Sequence, residues 1–120
     1  MVNDAPSFDE IWPNVSDLMV GRQVLIYNAD YDSRLIIQSL SACDYPTTSI
    51  RFDNLVCVMD WYSQFFGEWN ELQGNFKWQS LTNACFQQNV DITDLSAHRA
   101  HADCIMTGRL VHAVNAQLDA

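Results

Sequence analysis

Basic residues are what this chain has least of. Fifteen acidic residues stand against six Lys and Arg, a formal net charge of −9, and the six are Arg22, Arg34, Arg51, Lys77, Arg99 and Arg109. A protein that holds nucleic acid mainly by neutralising phosphates shows a basic surface, so duplex should bind poorly to this one. A grip on only the last nucleotides of a strand survives that argument, because bound cations reverse the local field of an acidic site. Also missing are an apolar run long enough to span a bilayer and a basic-then-apolar leader. A soluble cytoplasmic protein with no membrane partner is therefore expected. The four cysteines, Cys43, Cys57, Cys85 and Cys104, form no C-x-x-C pair. They read as four buried thiols in a reducing compartment. A zinc site on His98, His101 and Cys104 is the sharper reading, but no second ligand pair stands near it. Repeats, low-complexity tracts and domain linkers are absent too.

What is present suits a single domain over residues 1–120. Hydrophobic residues make up 48% of the chain and charged ones 18%, with four tryptophans, enough for a modest core and too apolar for disorder. The chain is organised around VLIYNADYDSRLIIQSL, residues 24–40. Residues with strand character run into a helix that carries Asp30 and Asp32 in its first turn, where backbone N–H groups favour anionic side chains and suit them to hold a cation. Ahead of it, Ser7 and Glu10 read as a capping box for a helix with Phe8, Ile11, Val15, Leu18 and Met19 at helical spacing. Pro13 should kink or delay that helix, and Gly21 ends it. Residues 22–27 form a strand apolar enough to be buried on both faces, and a helix follows over residues 30–42, with Asp30 as its N-cap.

Residues 44–48 are a turn cluster, and residues 55–59 are a second strand or an apolar entry to a helix. Residues 68–79, with Gly74 and two asparagines, read as a loop. Ser80 caps a helix to about residue 88, and residues 91–97 form a polar turn. A last helix over residues 99–118 turns Ala102, Ile105, Met106, Leu110, Val111 and Val114 inward. Near its start lies HRAHAD, residues 98–103, a histidine followed five residues later by an aspartate. Trp12, Trp61, Trp69 and Trp78 could stack on bases, though core packing is the plainer role.

YNADYD, residues 27–32, resembles the second motif of the DEDDh (DnaQ-like) 3′-to-5′ exonucleases, the group of ribonuclease T and the proofreading subunit of bacterial DNA polymerase III. HRAHAD resembles that family's third motif, and NFKWQSLTNACFQQNVD, residues 75–91, resembles the connector between them. The resemblance spans nearly the whole chain. It implies a ribonuclease H-like α/β fold, a strand ending near Cys57 and a helix over residues 59–67. It also implies hydrolysis of the terminal phosphodiester by two divalent cations, Mg²⁺ or Mn²⁺. By position, Asp32 and Asp103 correspond to metal ligands, His98 to the general base and Asn28 to a substrate-binding residue, with the 3′ end of single-stranded nucleic acid as partner. Arg99 and Arg109 could touch phosphate, and His101 is expected to be a capping or otherwise satisfied histidine.

The family's first motif, Asp-x-Glu on an N-terminal strand, has no counterpart: no Asp stands two residues before a Glu. The resemblance thus implies an N-terminally truncated, helix-rich domain with a small parallel sheet remnant and impaired hydrolysis. The alternative is a non-catalytic binding or regulatory module on the same fold. An unpaired sheet edge in either case invites a homodimer or a domain swap.

Overall fold

A computed structural model describes residues 5–48, 50–96 and 99–120. Its centre is a strand–helix–strand unit in which β1 (Val24–Ile26) lies parallel to β2 (Leu55–Cys57). The pairing runs Val24 to Leu55, Leu25 to Val56 and Ile26 to Cys57, and α2 (Ala29–Ala42) connects the two strands. Antiparallel strands can be joined by a tight turn, but parallel ones need a crossover of this kind. Asn28 makes the switch from strand to helix. It sits in the left-handed region at φ 68°, ψ 60°, a conformation that Asn tolerates better than most residues. At the end of β2 no loop intervenes, and α3 (Val58–Phe66) begins at the next residue. Gly67, at φ 78°, closes that helix with its N–H on the Ser63 carbonyl.

The chain is thus α/β with a small parallel sheet, and most elements fall where the sequence puts them. α1 (Phe8–Met19) runs continuously through Pro13. It is anchored by Trp12, which is buried, while Ile11 and Leu18 stay exposed. The capping box does not form: the Ser7 hydroxyl donates to the Asp9 carboxylate instead, holding that acid below its usual range. Asp30 is not the N-cap of α2 either, since the helix begins one residue earlier and leaves Asp30 in its first turn, paired with Arg34 at 3.1 Å.

The expected loop over residues 68–79 is a β-hairpin. β3 (Trp69–Asn70) pairs antiparallel with β4 (Asn75–Phe76), Trp69 opposite Phe76. The Asn70 side-chain oxygen accepts the N–H groups of Leu72 and Gln73 at 3.1 and 3.3 Å. Gly74, at φ 66°, returns its N–H to the Asn70 carbonyl at 2.9 Å. Strands of two residues are too short to show any alternation, so only the Asn and Gly of the turn could have signalled them.

α4 (Leu81–Gln87) is capped by Ser80, whose hydroxyl accepts the Asn83 N–H at 3.1 Å. The long α5 (Ala100–Leu118) closes the domain. The core lies where α3, α4 and α5 meet: Val58 and Tyr62, Ala84 and Cys85, and Met106, Leu110 and Val114. Polar side chains tie these elements together. The Tyr62 hydroxyl donates to Gln87 Oε1 at 2.8 Å and accepts from Gln88 Nε2 at 2.9 Å. Gln88 Oε1 in turn accepts from Gln117 Nε2 at 2.6 Å, while Gln87 Nε2 donates to Gln79 Oε1 at 2.9 Å. No buried side-chain N or O among the described residues lacks a partner, which is the condition for a polar network to stabilise rather than weaken a core.

Two expectations need correction. Of the cysteines only Cys85 is buried; Cys43 and Cys57 are half-buried and Cys104 is exposed. β1 is not buried on both faces, because Leu25 is 44% exposed and its neighbours are only half covered. A strand with a single parallel neighbour has one free edge, and parallel sheets are ordinarily covered on both faces. Among the described residues no helix is long and apolar enough to cross a membrane.

The free edge of β1 beside exposed Leu25 predicts self-association, with a second copy of the chain covering that strand. Sedimentation at micromolar concentration should give a dimer that Leu25→Lys dissociates. A monomer that stays soluble at all concentrations would contradict it.

Candidate active site

β1 delivers the chain to the carboxyl end of the sheet, and α2 begins there, so the first turn of α2 looks out over the strand ends. Asp32 is in that turn. The first turn of α5 carries Asp103. Although 71 residues separate them by number (103 − 32), both line one pocket of about 540 Å³. Its walls include Tyr27, Asn28 and Tyr31 from the strand–helix junction, Leu81 from α4, and Cys104 and Thr107 from α5. A crevice at the carboxyl ends of parallel strands is the usual place for a ligand in α/β sheets.

Both carboxylates are in the first turns of their helices, and a helix N-terminus favours the ionised form of an acid. For Asp32 burial works the other way and is the largest influence, pushing its carboxyl above the usual range. Among the described residues neither carboxylate forms an ion pair. Thr107 spends its hydroxyl on the Asp103 backbone carbonyl at 2.8 Å rather than on the carboxylate. Two carboxylates thus face one pocket.

The pocket is walled by a firm frame. The Tyr27 hydroxyl donates to the Gln79 carbonyl at 2.6 Å, tying β1 to the segment that leads into α4. Burial raises the Tyr27 phenol well above its ordinary value, so it remains a donor at every physiological pH. The Ala29 N–H points at Cys57 Sγ, 3.4 Å away, which fixes the start of α2 against the end of β2.

Three of the four predicted site residues, Asn28, Asp32 and Asp103, therefore meet in one place. The fourth, His98, lies outside the described residues. His101 is exposed, not a capping or enclosed histidine. The zinc reading on His98, His101 and Cys104 includes His98 and so lies partly outside the described residues, among which no group of three His, Cys, Asp or Glu that could hold a metal occurs. Arg109 is committed elsewhere, with both guanidinium nitrogens 2.9 Å from the Asp94 carboxylate and one 2.8 Å from the Asp91 carbonyl. Among the described residues no Lys or Arg lines the pocket. Sequence reasoning gave no site role to Tyr31 or Leu81, although Tyr31 lies inside YNADYD and Leu81 inside the connector segment, and it offered Cys104 only as a zinc ligand.

As a donor set, two carboxylates with open pocket around them suit a hard cation. Mg²⁺ is commonly held by one or two carboxylates, with waters and substrate phosphates completing its shell. The two carboxylates suit such an ion, and among the described residues no third His, Cys, Asp or Glu is grouped with them to hold a metal.

Comparison with known proteins bears on the same residues. The chain is 33% identical over 117 residues to a protein of Escherichia phage 186 named uncharacterized exonuclease CP81. The aligned stretch covers 95% of this chain and 59% of the phage protein, so the chain spans about three-fifths of that relative's length. No family model matches the chain, and no solved structure matches it. The similarity supports an exonuclease relationship.

Proposed function

We propose that this chain is the motif-two and motif-three part of a DEDDh-type 3′-to-5′ exonuclease domain of ribonuclease H-like fold, acting on the 3′ end of single-stranded nucleic acid with Mg²⁺ or Mn²⁺. One observation carries the reading: Asn28 and Asp32 from the first motif-like segment and Asp103 from the second line a single pocket at the carboxyl end of the sheet. The similarity to a phage protein named as an exonuclease supports it independently.

In this reading Asp32 and Asp103 hold the cation. When bound, it would polarise the scissile phosphate and stabilise the attacking and leaving oxygens. The chain's own residues do the rest. Asn28, fixed at the turn into α2, offers an amide to the terminal nucleotide. His98, five residues ahead of Asp103 in sequence, takes the proton of the attacking water, a task suited to an imidazole near neutral pH. The walls contributed by Tyr27, Tyr31 and Leu81 restrict the water around the reacting phosphate. Among the described residues no Lys or Arg lines the pocket, so activity should depend on the cation.

Residues 1–120 contain no Asp-x-Glu, so they supply two of the family's four carboxylates. A cation held by two ligands is less firmly positioned, and phosphoryl chemistry is sensitive to position. The 120-residue chain, given 5′-labelled single-stranded DNA or RNA with Mn²⁺, should shorten it slowly from the 3′ end and stop in EDTA. Asp32→Ala and Asp103→Ala should each lower the rate by about 10²-fold or more. His98→Ala should lower it by roughly 10²- to 10⁴-fold, with His101→Ala near wild type. Fast processive digestion would contradict the incomplete ligand set. No shortening, with Mn²⁺ bound, would favour the non-catalytic module.

The elevated Asp32 carboxyl has a consequence for stability. Because its folded value lies above the unfolded 3.8, the folded chain holds this proton more tightly. That contribution is full at low pH and is lost as pH rises from the unfolded value through the folded one. Above both, ionised Asp32 weakens the metal-free fold. Asp32→Asn should therefore melt at a higher temperature than wild type at pH 7 in EDTA, the gap closing at about pH 3. A lower melting temperature for Asp32→Asn at pH 7 would contradict this.

A further inference from the structure

The hairpin over residues 68–79 takes no part in the pocket, yet it carries the most concentrated display of aromatic surface on the molecule. Trp69 is 52% exposed, Trp78 61% and Phe76 37%. Leu72 at the turn is 99% exposed. Large apolar side chains left in water singly are ordinary, but several on one short element mark a contact surface.

These rings are held still. Trp69 and Phe76 sit opposite each other in the hairpin, edge to face at 5.1 Å with an interplanar angle of 81°. The Trp78 indole N–H donates to the Asp60 carboxylate at 2.7 Å, which fixes that ring against the first turn of α3. Lys77 is paired with Glu68 across the hairpin at 3.4 Å, and the Lys77 N–H donates to the Glu68 carbonyl at 2.7 Å. Rings locked in place by neighbours lose little freedom when something stacks on them.

The hairpin is also continuous with the pocket. α3 starts where β2 ends, so Asp60 and the indole it holds are at the carboxyl end of the sheet, the end that bears Asn28 and Asp32. The Gln79 carbonyl accepts the Tyr27 hydroxyl, and Leu81 is itself a pocket wall. Three residues separate Trp78 from Leu81, so their Cα atoms are at most roughly 11 Å apart.

The charge on the hairpin decides what the rings could hold. Glu68 and Glu71 outnumber Lys77, so the phosphate backbone gains nothing here. Bases, in contrast, have a neutral π-face that stacks on aromatic side chains without regard to sequence. We infer that the hairpin is a base-stacking platform: Trp78, then Trp69, receives the unpaired bases of a single strand whose 3′ end occupies the neighbouring pocket. This deepens the exonuclease reading and rests on it for the position of the 3′ end. The strand is held by its bases rather than by its phosphates, which reconciles single-strand binding with a net charge of −9.

Fluorescence titration of the 120-residue chain in EDTA, with oligodeoxythymidylate and with an abasic strand of equal length, tests it. The normal strand should quench tryptophan emission and bind with only weak dependence on salt, and the abasic strand should bind far more weakly. Trp78→Ala and Trp69→Ala should each weaken the normal strand by roughly 5- to 150-fold and leave the abasic strand unchanged. Trp78→Phe, which keeps a ring, should retain most of the affinity, and thermal melts confirm that each variant is folded. In the Mn²⁺ shortening assay the tryptophan variants should raise KM while kcat stays near wild type, so stacking and chemistry fail separately. Equal binding of both strands, no binding of either, or tryptophan variants that lose a dimer but keep the oligonucleotide would each overturn the inference.

Discussion

The three-residue parallel pairing of Val24–Ile26 with Leu55–Cys57 determines where the residues of the pocket end up. With Ile26 opposite Cys57, two helices begin side by side, α2 after Asn28 and α3 directly after Cys57. The Ala29 N–H on Cys57 Sγ locks that junction. Asp32 rises from one of these helix starts, and Asp60, the anchor of the Trp78 indole, from the other. A one-residue slip in the pairing would reverse every strand side chain and separate Asn28 from the wall that α5 supplies. So short a sheet has little hydrogen bonding of its own, and the constraint is enforced from outside it.

That enforcement comes from the packed triangle of α3, α4 and α5 and from the side-chain amides threaded through it. Tyr27, the residue after β1, packs against the core cluster and donates to Gln79. Gln79 is joined to Gln87, Gln87 to Tyr62, Tyr62 to Gln88, and Gln88 to Gln117 near the end of α5. The strand that presents Asn28 and the helix that presents Asp103 are thus held to one frame, although β1 pairs with its neighbour over only three residues. Fully satisfied networks of this kind specify one arrangement more than they add stability. The half-covered β1 and the pocket with its two carboxylates have no such network around them among the described residues.

The helices were legible because their apolar spacing, caps and terminating glycines agree. Ser80 caps α4, and Ala102, Met106, Leu110 and Val114 form the buried stripe of α5, whereas α3 followed from the family resemblance. The carboxylates were legible through motif order alone, since nothing in composition brings Asp32 and Asp103 together. The hairpin escaped because its strands are two residues long. The Ser7 box failed because a nearer carboxylate, Asp9, took the hydroxyl first. Asp30 was misplaced because Asn28 could adopt the left-handed backbone and start the helix earlier. The exposure of Cys104 follows from which face of α5 meets the core, a matter of register that sequence pattern leaves open by one residue.

The central claim is that Asp32 and Asp103 serve one cation. Titration of the 120-residue chain with Mn²⁺, following loss of the free-ion electron paramagnetic resonance signal, addresses it without any need for catalysis. The account predicts that Asp32→Ala and Asp103→Ala each weaken Mn²⁺ binding by roughly 10-fold or more. The double variant should be little worse than either single one, since a shared ion couples its ligands. Losses that simply add, or wild-type affinity in either single variant, would show that the two carboxylates do not share an ion.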